Sequence, residues 1–150
     1  MALVVADAGP LIALAQVEQL EILASLFGEV TLPEAVWRET QAKVTPDSQC
    51  IALAVEAGWL KVVSVAVHNH FPLSLHQGES EALQMACNEE NVLLILDDQL
   101  ARREAARRNL NFMGTVKVLS LAEQKGLIDS ARLIIELMQG FGYRISAKYL

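Results

Sequence analysis

Val4-Val5-Ala6-Asp7-Ala8-Gly9-Pro10-Leu11 is the stretch that decides the fold. An apolar run with no polar interruption stops on one acid and then on turn residues, the pattern of a buried parallel strand that delivers Asp7 to its carboxyl end. In open α/β sheets, ligands and catalytic groups gather outside the carboxyl ends of the strands. Asp7 therefore has two readings at this point: a site residue, or a cap on the helix starting near Pro10.

The chain on either side repeats the same alternation. Leu11 to Leu26 has helical periodicity, broken into two short helices near Val17-Glu18 and ended by Gly28. Glu29 to Leu32 reads as a second strand, and Pro33 opens a helix from Glu34 to about Gln41, where its missing N–H costs nothing. After the polar loop Lys43–Ser48, a helix runs to Ala57 and stops at Gly58. Lys61 to Val65 is a third strand, at an edge. A helix opened by Gly78 runs from Glu79 to Glu90. Val92 to Leu96, the most apolar strand, ends on Asp97-Asp98. Helices are expected at Asp98–Arg108, Thr115–Gln124 and Asp129–Gln139, with a short extended piece at Asn111–Met113 and a loosely structured tail at Gly140–Ser146. Alternation of this kind predicts an α/β fold: a mostly parallel central sheet with helices on both faces.

The chain has 150 residues, 53% of them hydrophobic, enough for a core within a single domain spanning 1–150. The apolar runs are too short for a membrane span, and no basic region precedes the first of them, so a cytoplasmic protein is expected. Cys50 and Cys87 have neither metal-ligand nor disulfide-framework spacing and read as free thiols. His68, His70 and His76 lie in or near one loop, without the further ligands of a structural zinc site. The net charge of −6 argues against bulk attraction to nucleic acid, so such a function needs a local patch. Arg102, Arg103, Arg107 and Arg108 offer one, either as an RNA-backbone contact or as an ordinary solvated helix face.

Two strands thus end on acids, Asp7 and the Asp97-Asp98 pair, and parallel neighbours lie only about 4.8 Å apart. At about 100° per residue, Glu39 projects near Val36 on the inward face of its helix, and Glu79 projects among Ala82, Leu83 and Ala86. Asp98 falls with Ala101 and Ala105. By the same projection Glu81 points to solvent. Carboxylates gathered at one point repel, and oxygen-rich clusters of this kind are what hard divalent cations such as Mg²⁺ or Mn²⁺ require. A metal so held lowers the pKa of a bound water and stabilises charge developing on a phosphoryl group.

The N-terminal stretch to Ala15, Leu32-Pro33-Glu34-Ala35-Val36-Trp37-Arg38-Glu39, Gly78-Glu79-Ser80-Glu81-Ala82 and Leu96-Asp97-Asp98-Gln99-Leu100-Ala101 together resemble the PIN domain superfamily, and within it a prokaryotic branch beside the VapC-type toxins. The resemblance runs over nearly the whole chain, including Gly114-Thr115 and Gly142–Ser146. It implies a three-layer α/β/α sandwich and a metal-dependent endoribonuclease. Asp7, Glu39, Glu79 and Asp98 would be the metal-holding acids and Asp97 a fifth catalytic acid, with RNA as substrate and a small antitoxin and a second copy of the chain as partners. Two departures bear on activity. Ala8 stands where the family often has Ser or Thr, and Ile95, Leu96 and Asp97 offer no counterpart to a Thr that commonly precedes the later acid. Both hydroxyls would support metal ligands, and their loss favours a catalytically weak or inactive interaction module as the alternative. A response-regulator receiver is disfavoured because the second strand ends in Leu32-Pro33, with no acidic phosphoacceptor, and Lys117 falls inside an expected helix.

Overall fold

A computed structural model describes residues 2–144; the end of the expected tail, Ile145-Ser146, lies outside them. The elements are β1 (Leu3–Ala6), α1 (Ala8–Gln16), α2 (Ile22–Phe27), β2 (Val30–Pro33), α3 (Glu34–Thr40), α4 (Pro46–Ala57) and β3 (Leu60–Val63). They continue with α5 (Gln77–Asn88), β4 (Val92–Ile95), α6 (Gln99–Arg107), β5 (Asn111–Met113), α7 (Thr115–Gln124) and α8 (Ala131–Gly140). The five strands form one sheet in the order β3-β2-β1-β4-β5, every pair parallel.

Period-two alternation along β1 feeds two separate cores. Val4 and Ala6 join Val30, Leu32 and Ile95 on the face covered by residues of α1, α2, α4, α7 and α8. Val5 joins Val92, Leu94 and Leu96 on the other face, against Ala82, Leu83 and Ala86 of α5 and Ala101 and Ala105 of α6. The alanines let these two helices lie close to the sheet. The result is the expected α/β/α sandwich, with β3 at one edge as the sequence indicates.

The differences from the sequence reading are local. The break after α1 is real, with Glu18 in a left-handed turn at φ 57. The strand expected at Lys61–Val65 starts one residue earlier and ends at Val63. The helix expected from Glu79 begins at Gln77, and it is buried on more than the one predicted face: Glu81, Gln84 and Met85 are as inaccessible as Ala82 and Leu83. Buried polar groups need hydrogen bonds. Gln84 Oε1 accepts the N–H groups of His68 and Asn69 at 3.1 and 2.9 Å, which lays the histidine-bearing loop over this helix.

Chain order and spatial order diverge at one place. From β1 the chain steps outward through β2 to β3, then crosses back to put β4 on the other side of β1. That reversal opens a crevice at the carboxyl ends of β1 and β4, the position where open α/β sheets bind ligands.

Candidate active site at the carboxyl edge

Asp7 lies at this switch point. Ala6 pairs with Ile95 in register, and the Asp7 N–H donates to the Ile95 carbonyl at 2.9 Å, so the first acid is tied to the end of β4. Asp7 occupies the N-cap position of α1, yet its side chain makes no capping hydrogen bond. It is 8% exposed. Burial pushes its carboxyl up to about 7; the adjacent Ala8 N–H lowers it in part, and the charges of Glu79, Glu39 and Asp98 raise it further. These three are the acids the helical projections select.

Each of the three arrives on a different helix. Glu79 sits in the first turn of α5, buried, with Oε1 accepting the His76 N–H at 2.9 Å. Its pKa is also raised, first by burial and then by Asp98 and Glu39, against a lowering by the His76 N–H. Glu39 lies in the last turn of α3 and Asp98 is the N-cap of α6, where its Oδ2 accepts the Ala101 N–H at 2.9 Å. The inward projection of Glu39 needs correction: it is exposed, because the end of α3 lies at the rim of the crevice with no layer packed over it.

Asp97 is placed differently from its neighbour. Its Oδ1 accepts the Thr115 N–H at 2.9 Å and its Oδ2 the Thr115 hydroxyl at 2.6 Å, so it caps α7 from a distance. The Tyr143 phenol lies beside Asp97, and burial and this carboxylate hold it well above its ordinary pKa. A carboxylate engaged this way anchors α7 instead of joining the group around Asp7. Thr115, fully buried, is the hydroxyl that sequence reasoning did not connect to this acid.

Glu81 corrects the expectation that it is exposed. It is 6% accessible; Oε1 accepts the Ala35 N–H at 3.1 Å and Oε2 accepts from Gln77 Nε2 at 3.0 Å. Helix α3 begins after Pro33, which has no side chain able to satisfy its first N–H groups, and Glu81 supplies the acceptor across space. The same carboxylate therefore fixes α3 and α5 together, the two helices that carry Glu39 and Glu79. Gly78 allows the approach, since a Cβ there would stand 3.1 Å from Val36 Cγ2.

The four arginines separate into structural and exposed members. Arg102 is largely buried, donates from Nε to the Leu96 carbonyl at 3.1 Å and stacks 5.7 Å from the Phe112 ring centre. Arg108 donates to Glu104 and, through Nη2, to the His70 carbonyl at 2.9 Å, with its guanidinium 4.6 Å from the Phe71 ring centre. Arg107 also pairs with the buried Glu104, whose carboxyl the two arginines hold below its ordinary pKa, but its side chain stays 67% exposed. Arg103 is exposed. The members of the cluster with exposed side chains are thus Arg103 and Arg107, because a helix directs only part of its surface outward.

A family model described as a PIN domain matches residues 3–150. The chain belongs to the PIN domain family. A comparison with curated proteins gives no match. PIN domains are generally nucleases and generally bind divalent metals. In this PIN domain the donors around Asp7 are carboxylate oxygens with unneutralised charge, which fits Mg²⁺ or Mn²⁺ in donor type and in sign. Among the described residues no three His, Cys, Asp or Glu side chains stand close enough to hold one ion as placed. Glu39 and Asp98 are the exposed members and so have rotamers open to them.

The contrast between Glu79 and Glu81 is testable. Glu79→Gln is expected to weaken Mn²⁺ binding in calorimetric titrations far more than Glu81→Gln. Glu81→Ala is expected to cost about 1–3 kcal/mol of stability, because it leaves the Ala35 N–H without its acceptor. A larger loss of Mn²⁺ affinity in Glu81→Gln than in Glu79→Gln would move the metal assignment to Glu81.

Proposed function

We propose that this PIN domain is a single-domain, cytoplasmic, Mg²⁺- or Mn²⁺-dependent endoribonuclease, the toxin component of a VapBC-type toxin–antitoxin pair. The observation that carries the reading is Asp7: a buried carboxylate at the switch point, unused as a helix cap, with its pKa raised by burial and then further by three other acids. A fold gains no stability from such an arrangement, and functional sites are where it is tolerated.

Asp7, Glu39, Glu79 and Asp98 would hold the metal, which supplies water activation and stabilisation of charge on the phosphoryl group. Asp7 and Glu79 form the buried floor, kept in place by β1 and by the bond from His76, while Glu39 and Asp98 close the rim. Asp97 would serve by holding the start of α7 beside them. Arg103 and Arg107 would meet the RNA backbone without reading its sequence. Among the described residues no helix is long and apolar enough to cross a membrane. Leu133 and Leu137 of α8 and Phe141 at its C-cap are exposed, apolar surface suited to a second copy or to an antitoxin segment, whereas Ile134 is in the core.

The test is cleavage of single-stranded RNA at neutral pH with Mn²⁺, with and without EDTA. Cleavage that EDTA abolishes and Asp7→Asn lacks is the expected result. Equal cleavage by Asp7→Asn would assign the activity to a contaminant. A second reading, a non-catalytic PIN module, is favoured by Ala8 in place of a hydroxyl and by the separation of the carboxylates. RNA left intact at every Mn²⁺ concentration would select it.

A further inference from the structure

Beside the acid cluster lies a cleft of about 300 Å³ over the ends of β4 and β5, walled by Asp97, Arg102, Phe112, Lys117, Tyr143 and Arg144. Its volume is at the small end of ligand pockets, which run from about 300 Å³ upward. In a chain of net charge −6 this cleft gathers three cations against one carboxylate. That carboxylate, Asp97, pairs with Arg102 at 3.7 Å and accepts from Thr115 with both oxygens, so the excess positive charge is that of Lys117 and Arg144. Lys117 and Arg144 form no ion pair among the described residues.

Lys117 is the informative residue. It stands in the first turn of α7, where the helix dipole disfavours a cation; Gly114 at the N-cap has no side chain, and Asp97 takes the Thr115 N–H, which leaves the N–H groups of Val116 and Lys117 without an acceptor among the described residues. The exposed Lys117 side chain, beside these N–H groups and the second exposed cation Arg144, is suited to an anion. Gly114 itself is required by the wall: a Cβ there would collide with the Arg102 guanidinium and stand 2.7 Å from Asp97 Oδ1. Phe112 and Tyr143 add ring surface to the same space.

We infer that this cleft seats one phosphate-bearing nucleotide of a single-stranded RNA, with Lys117 and Arg144 on the phosphate and the rings beside the sugar and base. Asp97 lines the cleft and Asp98, the next residue, belongs to the acid group, so the seated nucleotide adjoins the place where the backbone would be cut. The adjacency to cleavage rests on the nuclease reading; the binding itself does not.

The test uses the full chain carrying Asp7→Asn, in EDTA, so that binding is measured without cleavage. The probe is a 5′-phosphorylated, 3′-fluorescein RNA tetranucleotide followed by anisotropy across a salt series. Adding Lys117→Glu should lower affinity by about tenfold and reduce the slope of log affinity against log salt by about one. Lys125→Glu, the same charge change at the far end of α7, should leave both within about twofold. Glu in the first turn of α7 suits the dipole, so loss of fold is not the expected cause, and circular dichroism checks it. Equal losses in the two variants, unchanged binding in Lys117→Glu, or no RNA binding at all overturns the cleft. Binding with the expected Lys117 dependence, together with RNA left intact by the unmodified protein and Mn²⁺, supports the cleft and overturns the nuclease reading alone.

Discussion

Asp7→Asn is expected to abolish Mn²⁺-dependent cleavage while making the metal-free protein more stable at pH 8. The loss of activity should exceed about 100-fold, since groups that merely support metal ligands already cost 10–100-fold when removed. The gain follows from linkage. The carboxyl of Asp7 ionises at about 7 in the fold, against an ordinary 3.8. Below the ordinary value both the folded and unfolded chains hold the proton, and the favourable contribution of the neutral acid is complete. As pH rises from about 4 to 7 the unfolded chain releases the proton first, and that contribution is lost. Above 7 the folded protein carries a buried charge at a cost of up to about 4 kcal/mol, at about 1.4 kcal/mol per unit. Asn carries no charge at any pH. Thermal melts in EDTA should therefore show the variant on the order of 10 °C above the parent at pH 8 and close to it at pH 4. Saturating Mn²⁺ should narrow the gap by stabilising only the parent. A variant that melts below the parent at pH 8 would make Asp7 a structural residue and remove the central support for the proposed activity.

The second large effect separates two adjacent acids. Asp97→Ala should lower stability by about 2–4 kcal/mol, because the Thr115 N–H and hydroxyl lose their acceptors in a fully buried position. Asp98→Asn should hardly change the melting temperature, since Asn caps a helix as well as Asp does and keeps an acceptor for the Ala101 N–H. Its effect should fall on Mn²⁺ affinity, which calorimetry on the folded variant reads directly. Reversed outcomes, a stable Asp97→Ala with weakened Mn²⁺ binding and an unaffected Asp98→Asn, would exchange the two roles.

The sheet was legible because burial imposes short-range patterns. Unbroken apolar runs at Val4–Ala6 and Val92–Leu96, bounded by turn residues and alternating with helices, read as parallel strands covered on both faces, and the acids that close them then share one edge. Glu79 was legible for the same reason, through its spacing from Ala82, Leu83 and Ala86. Periodicity failed where a helix is covered on more than one side. For α5 it took Glu81 for a surface residue, when the neighbouring helix α3 covers it and supplies the Ala35 N–H that makes its burial tolerable.

The sequence by itself thus determined the α/β alternation, the parallel sheet and the delivery of Asp7, Asp97 and Asp98 to its carboxyl edge, because these are read from burial patterns within a few residues along the chain. Which charged groups remain available for chemistry was decided by the tertiary structure. Asp97 is engaged by Thr115, 18 residues away, Glu81 by Ala35, 46 away, and Arg108 by His70, 38 away. Those partners meet only when the sheet brings distant helices and loops together. A carboxylate or guanidinium takes its role from whichever hydrogen-bonding groups are then within about 3 Å.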